Sequence, residues 1–236
     1  MKIAVYTSIF GGYDDLMDDQ FKMDGVDYIC FTDMDITSNL WNIVKSTPIY
    51  SDSNRNAKKY KILPHRYLQD YDFSIWIDGN IKIISDVREI ISSALGHILN
   101  DYLVFDHNQN ILDPRDCIYE EYNAIIQLGN NNNGNYKDNP VIMNNQVQRY
   151  LNEGYPKNNG LTQNSILLRN HNSEKVKRVL EDWWQEIKYN SKRDQLSFNY
   201  IAWKNDFKFT YLQGDSRNNK YFYQTGPHKK KKNETI

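Results

Sequence analysis

The sequence predicts an α/β domain, with a mostly parallel central sheet flanked by helices on both faces. Three observations carry this reading. Short apolar runs of strand length alternate with segments of helical periodicity, the pattern of parallel strands joined by crossover helices. Several of these runs end in polar or acidic residues and glycine, as strands do where they open onto a ligand-binding edge. The 236 residues suit one core, with no linker or internal repeat to divide them.

The elements follow in order. Residues 2–8, with Ile3, Ala4, Val5 and Tyr6, read as a buried first strand ending in Thr7-Ser8. Gly11-Gly12 makes the next loop. Residues 28–31 form a second strand that stops at Thr32-Asp33. Residues 56–68 read as a basic helix that Pro64 kinks or divides. Residues 73–77 form a third strand running into Asp78-Gly79-Asn80. Residues 86–95 are helical, with Asp86 and Glu89 at capping-box spacing and Gly96 as the stop. A strand over 102–105 and a helix over 116–128 precede an asparagine-rich loop at 130–139. A helix over 141–152 and a strand over 165–168 come next. The helix over 174–189 is the clearest, with Val176, Val179, Leu180, Trp183, Trp184 and Ile187 on one stripe. Residues 194–203 read as a further helix and 207–212 as a late strand. One domain is expected over residues 1–225, followed by a basic, flexible tail over 226–236.

Composition narrows the function. The 29 basic and 30 acidic residues leave a net charge of -1, which argues against a nucleic-acid binder. No segment approaches the ~20 apolar residues of a membrane span. The N-terminus enters a strand without a leader-like apolar stretch, so a cytoplasmic location is expected. Cys30 and Cys117 lack metal-ligand spacing and read as buried free thiols. The run Lys229 to Lys232 reads as a solvated tail, with weak contact to an anionic membrane surface as the alternative. The 18 tyrosines and 5 tryptophans are compatible with stacking on sugar rings. The asparagine-, lysine- and isoleucine-rich composition points to an AT-rich bacterial or viral genome and fits surface polysaccharide synthesis.

In open α/β sheets, ligands bind beyond the carboxyl ends of the strands. Thr7, Ser8, Asp33 and Asp78-Gly79-Asn80 are all expected at that edge. Taken singly, each reads as a turn or cap residue. In Asp78-Gly79-Asn80 the i, i+2 spacing puts two oxygen-bearing side chains on one side of an extended chain. Such a pair can hold a hard divalent cation that also binds a diphosphate. Arg55, Lys58, Lys59 and Lys61 offer cations for phosphates, or else form a solvated helix face. His65 reads as a packing or capping histidine. Gln195 and Asn199 share a helix face that can line a pocket, while Asp194 suits a first helical turn. His107, Arg115, Asp116, Glu120 and Glu121 form a second polar cluster, which also reads as salt bridges and caps.

These residues resemble a known family. The series Tyr6 to Asp14, Phe31-Thr32-Asp33, Lys58 through Pro64-His65 and Ser74 to Asn80 is similar to the glycosyltransferase-like family formerly called domain of unknown function 616. Residues 115–121 and 193–198 fit it too, so the likeness spans roughly residues 2–205. The resemblance implies a GT-A-type fold and a nucleotide-sugar donor, with UDP as the nucleotide. The acceptor would be a glycan or a lipid-linked polysaccharide precursor. Thr7, Ser8, Tyr13 and Asp33 would then hold the nucleoside, and Arg55, Lys58 and Lys61 the phosphates or sugar. Asp78 and Asn80 would bind Mn2+ or Mg2+, although Asn80 stands where the family pattern has a second carboxylate.

A looser resemblance to glycosyltransferase family 8 lies in Asp194-Gln195 and Asn199. It implies that Asp194 and Gln195 face the reacting carbon, with His228 as a third metal ligand and Lys229 on the diphosphate. His107, Arg115, Glu120 and Asn164 are candidates for the sugar or acceptor. Retention of the anomeric configuration is slightly favoured; with inversion, Asp194 would be the base. The alternatives are a non-catalytic nucleotide-sugar or glycan-binding module and a metal-dependent amide hydrolase.

Overall fold

The chain was analysed as a computed structural model that describes residues 1–95 and 101–229. In chain order, the strands and α-helices are β1 (Ile3–Ile9), β2 (Val26–Thr32), β3 (Asn42–Lys45), α1 (Ser53–Ile62), β4 (Phe73–Ile77) and β5 (Ile81–Ile83). There follow α2 (Arg88–Leu95), β6 (Tyr102–Asp106), α3 (Ile118–Asn131), α4 (Pro140–Asn152), β7 (Thr162–Arg169) and α5 (Glu174–Tyr189). The last are α6 (Phe198–Lys204), β8 (Thr210–Leu212) and β9 (Phe222–Gln224).

Seven strands form one sheet in the order β3-β2-β1-β4-β7-β6-β8. Strands β3, β2, β1 and β4 run parallel, β7 opposes both of its neighbours, and β8 is parallel to β6. The mostly parallel sheet is therefore present, with β7 as its one reversed strand among the described residues. Side chains alternate between two cores, as the strand period requires. Ala4, Tyr6, Trp76, Tyr102, Val104 and Leu167 face the layer built by α1, α3, α4, α5 and α6. Ile3, Val5, Ile75, Ile77, Leu103, Phe105 and Ile166 face the opposite layer. There α2, the β5–β9 pair and the loop side chains Met23 and Trp41 cover the sheet.

Helix α5 lies where its apolar stripe predicts, with all six of those side chains buried. Helix α1 stops at Ile62, and Pro64 opens a separate 3-10 turn, so the proline divides the basic segment as expected. His65 binds Glu181 of α5 at 2.7 Å, a packing role. Pro140 begins α4, and the Asn139 side chain accepts from Val141 N and Ile142 N. Both cysteines are buried.

Other expectations are corrected. β1 continues through Thr7 and Ser8 to Ile9, because its pairing with β2 persists to Ile9 opposite Thr32. The segment expected as one helix over 194–203 is a 3-10 turn, Asp194–Leu196, followed by α6. The basic tail expected from 226 begins with a docked stretch, since Asn80 donates to Gly226 O and Lys229 N donates to Asp14. The helix stop expected at Gly96 and lysines 230–232 lie outside the described residues. No described helix is long and apolar enough to cross a membrane.

Candidate functional site

The parallel strands β1, β2 and β4, together with β6, carry Gly11–Asp14, Asp33, Asp78–Asn80 and His107 to one edge of the sheet. Reversed β7 begins at that same edge, and Asp78 N donates to Ser165 O at 2.8 Å. Its pairing with β6 shifts register, so Phe105 faces Gln163 while Val104 faces Leu167. The extra residues bulge, as strands often do beside functional sites. Asn164 lies in this bulge, 1% exposed, and neither its amide nitrogen nor its oxygen has a hydrogen-bond partner among the described residues. Leaving a buried amide unpaired costs about 1–3 kcal/mol, so such a group implies a ligand or water.

Through Asp78, whose N donates to Ser165 O, the same edge carries a buried chain of charges. Lys58 Nζ donates to Asp194 Oδ1 at 2.7 Å. Lys61 Nζ lies 2.7 Å from Asp194 Oδ2, off the hydrogen-bond direction, and donates to Asp78 Oδ1 at 2.9 Å. Trp76 Nε1 donates to the same Asp78 oxygen at 2.8 Å. Helix α1 supplies both lysines from one face, three residues apart. Burial pushes the Asp194 carboxyl up, but Lys58, Lys61 and Arg193 outweigh it and hold the group well below the carboxylate range. Burial brings the Lys58 ammonium down to about 8 against the pull of Asp194. Lys61 is raised: burial acts against it, and its two carboxylates win.

Beyond Asp78, the C-terminal stretch closes over the turn. Thr225 N donates to Asn80 O at 3.0 Å, and Asn80 Nδ2 to Gly226 O at 2.7 Å. His228 Nδ1 meets Asp14 Oδ2 at 2.6 Å, and its ring lies 5.2 Å from that of Tyr13. Glycine at 79 makes this approach possible: a Cβ there would sit 2.8 Å from Asp14 Oδ2. Burial lowers the His228 pKa, while Asp14 and Asp78 raise it to a net upward shift.

The second polar cluster lines a cleft of about 160 Å³ beside Gln195. Glu121, 3% exposed, accepts from Arg115 Nε at 2.9 Å and Arg193 Nη2 at 3.2 Å. Arg115 Nη2 donates to His107 Nε2 at 3.1 Å, which makes that nitrogen the acceptor of a neutral imidazole. Burial first, and Arg115 second, lower the His107 pKa. With the Asn110 amide oriented to suit its neighbours, its oxygen accepts from His107 Nδ1 at 3.3 Å. Gln195 Nε2 donates to Gln163 Oε1 at 2.9 Å, joining the cleft to the start of β7.

The structure thus brings Lys58, Lys61, Asp78 and Asp194 into one chain of contacts, and holds Asn80 on Gly226 O and His228 on Asp14 at the turn beyond it, with Tyr13 against His228. It withdraws others. Arg55 donates to Ile187 O and Asn190 O, fastening α1 to the end of α5 rather than reaching a phosphate. Ser8 Oγ donates to Ala57 O, and Thr7 is buried within β1, its hydroxyl without a partner among the described residues. Asp33 accepts from Gly11 N and so shapes the loop after β1. Glu120 is exposed and accepts from Asp116 N; Glu121, one residue on, points inward instead. Asn199 is 2% exposed and accepts from Thr162 N and Oγ1, a structural clasp rather than a pocket wall.

Asp14, Arg193 and Arg217 are the site residues that sequence reasoning passed over. Asp14 carried a usable signal, standing three residues after the Gly11 turn that follows β1. Arg217 carried none, since only the fold of the chain after β8 brings it to Asp113.

Residues 16–222 match the family model described as TOD1/MUCI70, glycosyltransferase-like domain. Asp14 and His228 fall outside that span. A relative from Arabidopsis thaliana, named as the probable hexosyltransferase MUCI70, is 23% identical over 227 residues. That alignment covers 84% of this chain and 37% of the plant protein's length. Among solved structures, mouse xyloside xylosyltransferase 1 superposes with a TM-score of 0.49 at 10% identity, over 89% of this chain and 84% of that one.

Proposed function

The chain belongs to the TOD1/MUCI70 glycosyltransferase-like domain family, and from that premise we propose that it transfers a sugar from a nucleotide-diphosphate donor. The nucleotide is UDP, and the acceptor is a glycan or a lipid-linked polysaccharide precursor. One observation carries this reading above the others: the buried Lys58–Asp194–Lys61–Asp78 chain ends at the carboxyl edge of the sheet, where Asp78 N donates to Ser165 O, next in sequence to Asn164, whose amide has no partner among the described residues. Fixed, buried charges and an unpaired amide suit a polyhydroxyl ligand next to a diphosphate.

In this reading Tyr13 and the loop after β1 that Asp33 shapes border the nucleoside, and Asn164 takes a sugar hydroxyl on its two amide atoms. Lys58 and Lys61 are held rigidly by Asp194, so they meet developing negative charge without reorganisation. Gln195 stands beside the reacting carbon. Asp194 serves as a fixed negative charge. Two ammonium groups hold its oxygens and depress its proton affinity, which makes it a poor general base. That supports retention over inversion, because inversion needs a base facing the acceptor.

A hard divalent cation fits the donor chemistry of Asp78, Asn80 and His228: one carboxylate, one amide oxygen and one imidazole. Such a cation, Mn2+ or Mg2+, would neutralise the departing diphosphate. Among the described residues, no three His, Cys, Asp or Glu side chains are grouped to hold a metal, so Asn80 has to complete the set. The same amide favours a second reading, a binding module without turnover, which release of UDP from a UDP-sugar would exclude.

The test is binding. UDP with manganese at a hundredfold over Kd should add about 2.7 kcal/mol of stability. For a chain of this size that raises the melting temperature by about 5 to 10 °C. Asp78→Ala should abolish the metal-dependent part. No shift with any nucleotide diphosphate, with or without metal, would refute the donor site.

A further inference from the structure

We propose that Arg169 and Tyr6 are positioning residues for the diphosphate: through the Tyr6 hydroxyl they fasten the last turn of α1 to the sheet and so set Lys61 between Asp78 and Asp194. The inference rests on the nucleotide-sugar reading above, in which Lys61 meets the diphosphate. Arg169 ends β7 and is fully buried. None of the ion pairs among the described residues includes it, and its Nε and Nη1 have no partner there. The one hydrogen bond of its guanidinium among those residues runs from Nη2 to Tyr6 Oη. A guanidinium keeps its proton in proteins, so the fold retains a buried charge whose polar contact is a single hydroxyl.

That hydroxyl serves α1. Tyr6 Oη donates to Lys61 O at 3.0 Å. Burial holds the phenol well above its ordinary value against the pull of Arg169, so it keeps its proton. A single proton fixes the direction of the row: Arg169 donates to Tyr6, and Tyr6 to Lys61 O. Hydrogen bonds in such a row polarise one another. The Lys61 carbonyl is among the last four of α1, which have no partner within the helix, and Pro64 prevents a further turn. These carbonyls are the negative pole of the helix, which suits a cation one hydroxyl away. The Tyr6 and Tyr102 rings, 5.8 and 6.0 Å from the guanidinium carbon, add their π faces. Tyr6 also meets Trp76 edge to face at 5.2 Å. Trp76 in turn donates to Asp78, and its ring lies 5.5 Å from Lys61 Nζ. One tyrosine therefore bears on both the backbone of Lys61 and the indole beneath its ammonium.

Tyr6→Phe keeps the ring against Trp76 and removes only the hydroxyl. The probes are UDP and uridine, titrated calorimetrically at one manganese concentration, with uridine read by displacement of UDP. Tyr6→Phe should weaken UDP about tenfold, the scale of one lost buried hydrogen bond, and uridine by less than about twofold. A merely structural role would lower both ligands together or neither. Arg169→Met should act as Tyr6→Phe does, and Arg169→Lys, which keeps a cation behind Tyr6, should fall between Arg169→Met and the wild type. Should the arginine variants fail to fold, Tyr6→Phe decides alone. Hydrogen exchange gives a reading without ligand. The Leu63 amide donates to Lys59 O at 3.1 Å in the turn that carries Lys61. In Tyr6→Phe it should exchange about tenfold faster, beyond any change at Val147 in α4.

UDP affinity that is unchanged in Tyr6→Phe, or that falls in step with uridine, overturns the inference and leaves the donor reading intact. Unaltered exchange at Leu63 overturns it whether or not nucleotide binds. Absence of all nucleotide binding by the wild type overturns the donor reading, and the inference with it.

Discussion

Replacing Asp194 by asparagine tests the central charge chain most directly. Asparagine keeps the side-chain shape and removes the charge that Lys58 and Lys61 share. Their side chains are 13% and 4% exposed, and that of Asp194 is 6% exposed, so water does little to replace the lost partner. Lys61 keeps Asp78 at 2.9 Å, but Lys58 is left without a carboxylate. Breaking a buried pair from one side costs about 3–5 kcal/mol. At about 2–4 °C per kcal/mol, the melting temperature should fall by about 6–20 °C.

The pH dependence supplies a second signature. Lys58 in the wild type already gives up its proton at about 8, below its ordinary 10.5. Asp194 holds that value up, so Asp194→Asn lets it fall further. A lysine with a depressed folded pKa takes up a proton on unfolding, and stability then rises with pH between its folded and unfolded values. In the wild type this rise begins near 8; in the variant it begins lower. The stability gap should therefore narrow as pH climbs from about 5.5 to 8. Urea denaturation followed by circular dichroism and tryptophan fluorescence measures the gap, with coincident transitions as the two-state check. A loss under about 1 kcal/mol at pH 6, the size of an exposed pair, would refute the buried chain. So would a gap that does not change with pH.

Three further outcomes are expected. Gly79→Ala should cost about 1–3 kcal/mol by urea denaturation, because the new methyl displaces Asp14; a neutral result would mean Asp14 has room to yield. The clasp between His228 and Asp14 should be complete below the ordinary imidazole value of 6.5 and be lost as pH rises through the raised folded value. Hydrogen exchange at the Thr225 and Lys229 amides reads this directly, and protection that stays constant to pH 9 after intrinsic-rate correction contradicts it. Arg55→Met should lower stability by about 1–3 kcal/mol through its lost carbonyl partners and leave nucleotide affinity unaltered. A tenfold loss of affinity at full stability would return Arg55 to the phosphates.

Local sequence determined the elements and the edge of the sheet where chemistry sits. Apolar runs of period two and the stripe of 174–189 report burial one residue at a time, so strands β1, β2 and β4 and helix α5 were legible. The family motifs marked Asp78, Lys58, Lys61 and Asp194 as a set without saying that they touch. Three-residue strands carry no periodic signal, so β5 and β9 were invisible; His228 was expected near the turn after β4 only through the likeness to family 8.

Only tertiary structure decided which polar groups remain free. Arg55, Ser8 and Asn199 look like ligand-binding residues by type, yet each is consumed by a backbone or side-chain partner from a distant element. Asn164 and the Arg193 Nε are the reverse, buried without a partner among the described residues. A sequence lists donors and acceptors; whether a given one is satisfied depends on contacts across many residues, and burial turns that difference into kilocalories.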